Sequence, residues 1–161
     1  MLPSNLHMHQ LHYSFRGLLL ALLLLSGIPA SAQKLVQDPV QWRFSIKKQG
    51  AGRYILMADA TIQPKWHIYA IKPGGEGELI GTSFKFDKGG AAVSGSVKEL
   101  TPAKQEKMMD EKVNLHSGKA KFSITVTGRQ GQTISGTVEY QACNDMMCLP
   151  PKTYPFSVKL P

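Results

Sequence analysis

Val40-Gln41-Trp42-Arg43-Phe44-Ser45-Ile46-Lys47 alternates apolar and polar residues without a break. A period of two is the mark of a strand with one buried and one wet face. The same pattern recurs outward from it. After the turn residues Gly50-Ala51-Gly52, alternate positions Tyr54, Leu56, Ala58, Ala60 and Ile62 are apolar. Pro64 interrupts, and Trp66 to Ala70 resumes as a third strand. Pro73 to Gly77 reads as an open loop, Thr82 to Asp87 as a short strand, and Val93 to Leu100 as a weaker one. The polar stretch Thr101 to Lys112 reads as a short helical turn or a long loop. Val113 to His116, Ala120 to Thr127, Ile134 to Ala142 and Tyr154 to Leu160 complete the series. Eight or nine short strands with turn signals between them, and no long helical pattern, predict an all-β fold. An antiparallel β-sandwich is favoured over a small barrel.

The N-terminus belongs to a different class of sequence. Arg16 precedes an apolar, leucine-rich run from Gly17 to Ile28, and Pro29 and Ala30-Ser31-Ala32 follow it. A bilayer needs about 20 apolar residues, and this run is shorter. Residues 1–32 therefore read as a cleavable secretory signal peptide, and residues 33–161 as one exported domain. No other segment is apolar enough for a stable membrane span. Nineteen basic against eleven acidic side chains give a net charge of +8. The lysines are scattered and not interleaved with aromatics, so no nucleic-acid partner is expected. No paired carboxylates, phosphate loop or Ser/His/Asp arrangement stands out.

Two cysteines, the only ones in the chain, lie in Tyr140-Gln141-Ala142-Cys143-Asn144-Asp145-Met146-Met147-Cys148-Leu149-Pro150-Pro151. An exported domain meets conditions in which disulfides form and persist. A ring this small closes if the segment bends enough to bring the Cα atoms within about 7 Å. It would stabilise by only about 2 kcal/mol in the chain-entropy model, against about 4.7 for a 100-residue loop. The pair is thus an inefficient staple and a candidate redox couple. Local activation is weak: no helix N-terminus is expected, Asp145 opposes a thiolate, and only Lys152 favours one. Such a couple depends on a partner with its own activated thiol. Pro150-Pro151 stiffens the exit from the segment.

Other readings compete. Cys143, Cys148, His67 and His116 could form a zinc site, although their spacing is not that of a zinc ribbon. Met108, Met109, Met146 and Met147 could hold Cu(I), although paired methionines more often cover apolar surface. Neither metal nor any other cofactor is the preferred expectation. Trp66, Tyr69 and Tyr140 read as core aromatics, and His67 as an ordinary strand residue facing solvent or hydrogen-bonded.

The segment from Tyr140 to Cys143, with Cys148 and Leu149-Pro150-Pro151, resembles the active segment of the N-terminal periplasmic domain of DsbD. DsbD is the transmembrane thiol:disulfide interchange protein, a protein-disulfide reductase. Trp66-His67-Ile68-Tyr69 resembles the aromatic strand of that family. The resemblance extends from Val40 to the end of the chain. It implies an immunoglobulin-like antiparallel β-sandwich with the cysteine pair at one edge. It further implies a periplasmic electron relay with thioredoxin-like partners: a DsbD-type reductant, a disulfide isomerase and a cytochrome c maturation thioredoxin. By position, Cys148 matches the cysteine that forms mixed disulfides and Cys143 the one that resolves them. Tyr69 and Tyr140 would line the site. Met108 and Met109 would form the cap, where the family uses an aromatic residue. The family's best-known member has one more residue between its cysteines. No transmembrane region or thioredoxin-like domain is read in this sequence, so a separate electron donor is expected.

Overall fold

The computed structural model describes residues 37–161, apart from 77, 78 and 109. The export segment read at residues 1–32 lies outside the described residues. Eleven strands are present and no helix, among the described residues. In chain order they are β1 (Val40–Gly50), β2 (Arg53–Ile62), β3 (His67–Gly74), β4 (Ser83–Phe86), β5 (Ala92–Glu99) and β6 (Lys104–Met108). The rest are β7 (Glu111–Ser117), β8 (Lys119–Thr127), β9 (Thr133–Tyr140), β10 (Ala142–Cys143) and β11 (Lys152–Lys159). They form three antiparallel sheets with the orders β1-β2-β8-β5, β10-β3-β7-β6 and β11-β9-β4. The arrangement is the antiparallel β-sandwich that the alternation predicts, of the immunoglobulin-like kind that the resemblance implies.

The alternation also explains the packing. The first sheet turns Trp42, Ala58, Ala60, Ala120 and Phe122 inward. Ile68 of β3, Val138 and Tyr140 of β9, and Ala142 of β10 meet them from the other side. Four aromatic rings surround Trp42, with centroids 5.6 Å (Tyr140), 5.8 Å (Phe122) and 6.1 Å (Phe44 and Phe84) away. Phe44 is stacked on Trp42, Phe84 meets it edge-on and the other two are tilted, all at separations where aromatic rings attract. A second cluster continues the core through Tyr54, Leu56, Ile124, Val126, Ile134 and Phe156. Each such side chain, fully buried, contributes about 1.5–3 kcal/mol.

Three expectations need correction. The stretch Thr101 to Lys112 is neither helical nor a long loop. Its centre is β6, which pairs with β7 from Lys104↔Leu115 to Met108↔Glu111. Asp110 turns the chain in a left-handed conformation (φ 71°), and its carboxylate meets the Lys107 ammonium at 2.7 Å. β6 is an edge strand with one neighbour, so its polar composition protects an exposed edge and carries no strand signal. Next, β3 runs through Pro73 to Gly74, past the residue expected to open the loop. Its register with β7 slips between Tyr69 and Gly74, and proline is tolerated at such an irregularity. Finally, the strand count exceeds eight or nine because of β6 and because the chain changes sheet at Gln141. β9 ends in the third sheet, and β10 begins beside β3 in the second.

Candidate functional site around the cysteine ring

That change of sheet positions the cysteines. β10 pairs with the start of β3, Ala142 opposite Ile68 and Cys143 opposite His67. Successive strand residues point to opposite faces. Ala142 therefore joins the main core, and Cys143 faces outward from the second sheet. There it forms a small separate cluster with Tyr69 and Val113, against which Leu79 and Met108 pack. β3 is consequently buried on both faces at its start, with His67, Ile68, Tyr69 and Ala70 all buried.

Cys143 and Cys148 are joined by a disulfide, with their Cα atoms 4.0 Å apart. The ring does not depend on that bond alone. The Asn144 amide N–H donates to the Met147 carbonyl at 2.9 Å, and the Leu149 N–H to the Ala142 carbonyl at 2.9 Å. The Asn144 side-chain oxygen accepts the N–H groups of Met146 and Met147, both at 2.9 Å. This is the local side-chain bonding that makes asparagine a turn former. The Gln141 side-chain amide ties the far side to the Leu149 carbonyl at 3.2 Å. The two cysteines differ in exposure. Cys143 is 1% exposed, whereas Cys148 sits in the exposed rim of the ring, next to Met147 and the almost fully exposed Met146.

The residues named from sequence fall into distinct places. Tyr69 and Met108 lie in the cluster around Cys143. Met109 lies outside the described residues. Tyr140 sits in the main core, and its hydroxyl donates to Asp38 Oδ2 at 2.5 Å. Burial and then the Asp38 carboxylate push its phenol well above the usual range. The same Asp38 oxygen binds the Lys152 ammonium at 2.7 Å. Lys152 is thus committed to Asp38, not to a cysteine thiolate as the sequence suggested. The zinc grouping is not assembled. His67 is opposite Ser117, and His116 is opposite Ile68, so the two histidines face opposite sides of the sheet. His116 bonds Glu99 Oε1 at 3.1 Å in the core. No group of three or more candidate metal ligands occurs among the described residues. Met146 is turned to solvent while Met108 packs against the Cys143 cluster.

His67 is the residue that sequence reasoning misjudged. It is 9% exposed, not a solvent-facing strand residue, and its Nε2 is buried with no hydrogen-bond partner. The available signal was the loss of alternation in Trp66 to Ala70, which marks a strand covered on both faces. Leu79 and Val113 were also missed, because neither stands near the cysteines in sequence.

A sandwich with a disulfide ring of unequal exposure on the outside of one sheet defines the class: a disulfide-bearing immunoglobulin-like domain. The family model described as the thiol:disulfide interchange protein DsbD, N-terminal, matches residues 32–160, and the chain belongs to this family. Two solved structures share the fold. The N-terminal periplasmic domain of ScsB from Proteus mirabilis is 17% identical with a TM-score of 0.61. That match covers 76% of this chain and 47% of the ScsB chain, so the protein spans about half the length of that relative. The DsbD N-terminal domain of Neisseria meningitidis, solved in the reduced form, is 12% identical with a TM-score of 0.52. It is matched over 73% of this chain and 84% of its own. A comparison with curated proteins found no match. No helix among the described residues is long and apolar enough to cross a membrane.

Proposed function

We propose that this protein is a periplasmic thiol:disulfide exchange domain that relays electrons between thioredoxin-like proteins through Cys143 and Cys148. One observation carries the reading: Cys148 is an exposed residue and Cys143 a buried one. Cys148 is accordingly assigned as the cysteine that meets a partner's sulfur. In the reduced form, the Cys148 thiolate attacks a partner's disulfide, forms a mixed disulfide and releases one partner thiolate. The Cys143 sulfur then attacks Cys148, closes the ring and releases the second partner thiolate. Two electrons pass to the partner, and the reverse sequence accepts two from a reduced thioredoxin-like donor. The backbone bonds of the ring keep the sulfurs adjacent after reduction, which favours the second step over escape of the mixed disulfide.

Family membership supports the exchange chemistry, and the export segment read at residues 1–32 supports the location. Tyr69 and Met108 are assigned to shielding the buried sulfur. The fitting partners are the periplasmic disulfide isomerase, the cytochrome c maturation thioredoxin and a DsbD-type reductant. The test is Cys143→Ala. It should accumulate a mixed disulfide through Cys148 with such proteins, visible as a reducible adduct. The absence of any adduct, with a wild-type potential below about −300 mV, would leave a structural bridge.

A further inference from the structure

His67 occupies a position that packing alone does not explain. A leucine or phenylalanine would fill the same space beside Tyr69 without orphaning a buried nitrogen. It is also the residue directly opposite Cys143 across the β3–β10 ladder. Opposed residues of an antiparallel pair share a face, with Cβ atoms about 4.5–5.5 Å apart. The imidazole stands edge-on to Tyr69 at 5.7 Å and borders a crevice of about 240 Å³. The charged side chains around that crevice are Lys65 from the turn before β3, Glu106 from β6 and Asp145 from the cysteine ring. The crevice thus opens beside His67 and Asp145 of the cysteine ring, and neither cysteine lines it.

We propose that His67 accepts the proton of the Cys143 thiol when the mixed disulfide is resolved. The step rests on the exchange reading above. The Cys143 S–H bond breaks, its proton passes to the free imidazole nitrogen, and the resulting thiolate attacks Cys148. The Cys143–Cys148 bond forms, the bond from Cys148 to the partner breaks, and the partner leaves as a thiolate. In reverse, the imidazolium returns the proton as Cys143 is expelled. This supplies the local activation that the sequence around the cysteines lacks. Burial holds the imidazole below its ordinary value, against the opposing pull of Glu106 and then Asp145. Burial thus favours the neutral ring, the form that can accept a proton.

The probe is glutathione disulfide acting on the reduced full chain. It forms a mixed disulfide at Cys148, and the lifetime of that adduct is read by acid quench and mass spectrometry from pH 5 to 9. The wild-type resolution rate should fall less steeply from pH 7 to pH 6 than that of a variant without the imidazole. His67→Gln should resolve about tenfold or more slowly at pH 6, rise about tenfold per pH unit as the thiol ionises by itself, and converge with wild type near pH 9. His67→Phe, which keeps an aromatic ring in the same space, should behave like His67→Gln. Superimposable profiles, or a wild-type profile for His67→Phe, overturn the assignment. A measurement without substitution is the NMR titration of His67, which should differ between the reduced and disulfide forms. Identical titrations overturn the proposal as well. Failure of glutathione disulfide to oxidise the pair at all overturns the exchange reading and this step together. Exchange with glutathione but no trapped thioredoxin-like protein sinks only the relay, and an unchanged His67→Gln profile sinks only the proton acceptor.

Discussion

Strand β2 and the opening of β3 bury themselves in different ways. β2 alternates along its length: Tyr54, Leu56, Ala58, Ala60 and Ile62 are buried, with wetter residues between them. At the start of β3, four consecutive residues from His67 to Ala70 are buried. β2 has one face on the core and one toward water. β3 has the core on one face and a second, smaller cluster on the other, made by Cys143, Tyr69, Val113, Leu79 and Met108. The difference separates two tasks. The inner cluster supplies most of the burial that holds the sandwich together. The outer one includes only one residue of the disulfide, Cys143, and leaves Cys148 exposed. Each region can be broken without the other, because energetic effects of sites that share no contacts are nearly additive.

The largest stability effect belongs to the inner cluster. Phe122 is fully buried and packs on Trp42, Phe84 and His116. Phe122→Ala should cost about 3–5 kcal/mol, read from the midpoint of urea unfolding. The exchange rate per folded molecule should stay at the wild-type level. A proportionate loss of exchange in the folded fraction would show that the two clusters are not separate.

Opening the ring should have the inverse signature. Cys148→Ser should abolish exchange while costing only about 2 kcal/mol of stability, because the closed loop is so short. The asparagine turn and the Leu149–Ala142 bond remain to hold the segment. A stability loss as large as that of Phe122→Ala would mean the disulfide is chiefly a staple, and the contrast between the regions would collapse.

The sequence made the inner region legible and the outer one only partly so. Period-two alternation in β1, β2, β8 and β9 reports a single buried face directly. The fold class follows from it, and so does the position of both cysteines between the last long strands. The outer cluster is assembled from residues remote in sequence: Cys143, Tyr69, Leu79 and Val113 meet only because β10 changes sheet at Gln141. A two-residue strand leaves no periodic trace. β6 was invisible because an edge strand can be polar on both faces. Lys152 looked like a partner for the cysteines by proximity in sequence, but strand β11 carries it to Asp38. His67 looked ordinary because one residue cannot show that a second layer covers its face. The cysteine pair itself was legible from its spacing and export context, whereas the unequal exposure of its two members needed the structure.

The smallest effect is a pH dependence that belongs to the outer region alone. Burial lowers the His67 pKa in the folded protein, with Glu106 and Asp145 opposing in part. In the unfolded chain the ring titrates near its ordinary value of 6.5. Below that pH the unfolded chain binds a proton that the folded one resists, so folding becomes less favourable as pH falls through the window beneath 6.5. One such group limits the slope to about 1.4 kcal/mol per pH unit, and the loss ends once the folded protein is itself protonated. Urea unfolding of the oxidised protein at pH 7.5 and pH 5 should therefore show a loss in wild type that His67→Gln reduces. Phe122→Ala should lower both midpoints and keep the difference between them. If His67→Gln keeps the whole acid loss, the proton enters elsewhere, and the buried imidazole is not what distinguishes the outer face of β3 from that of β2.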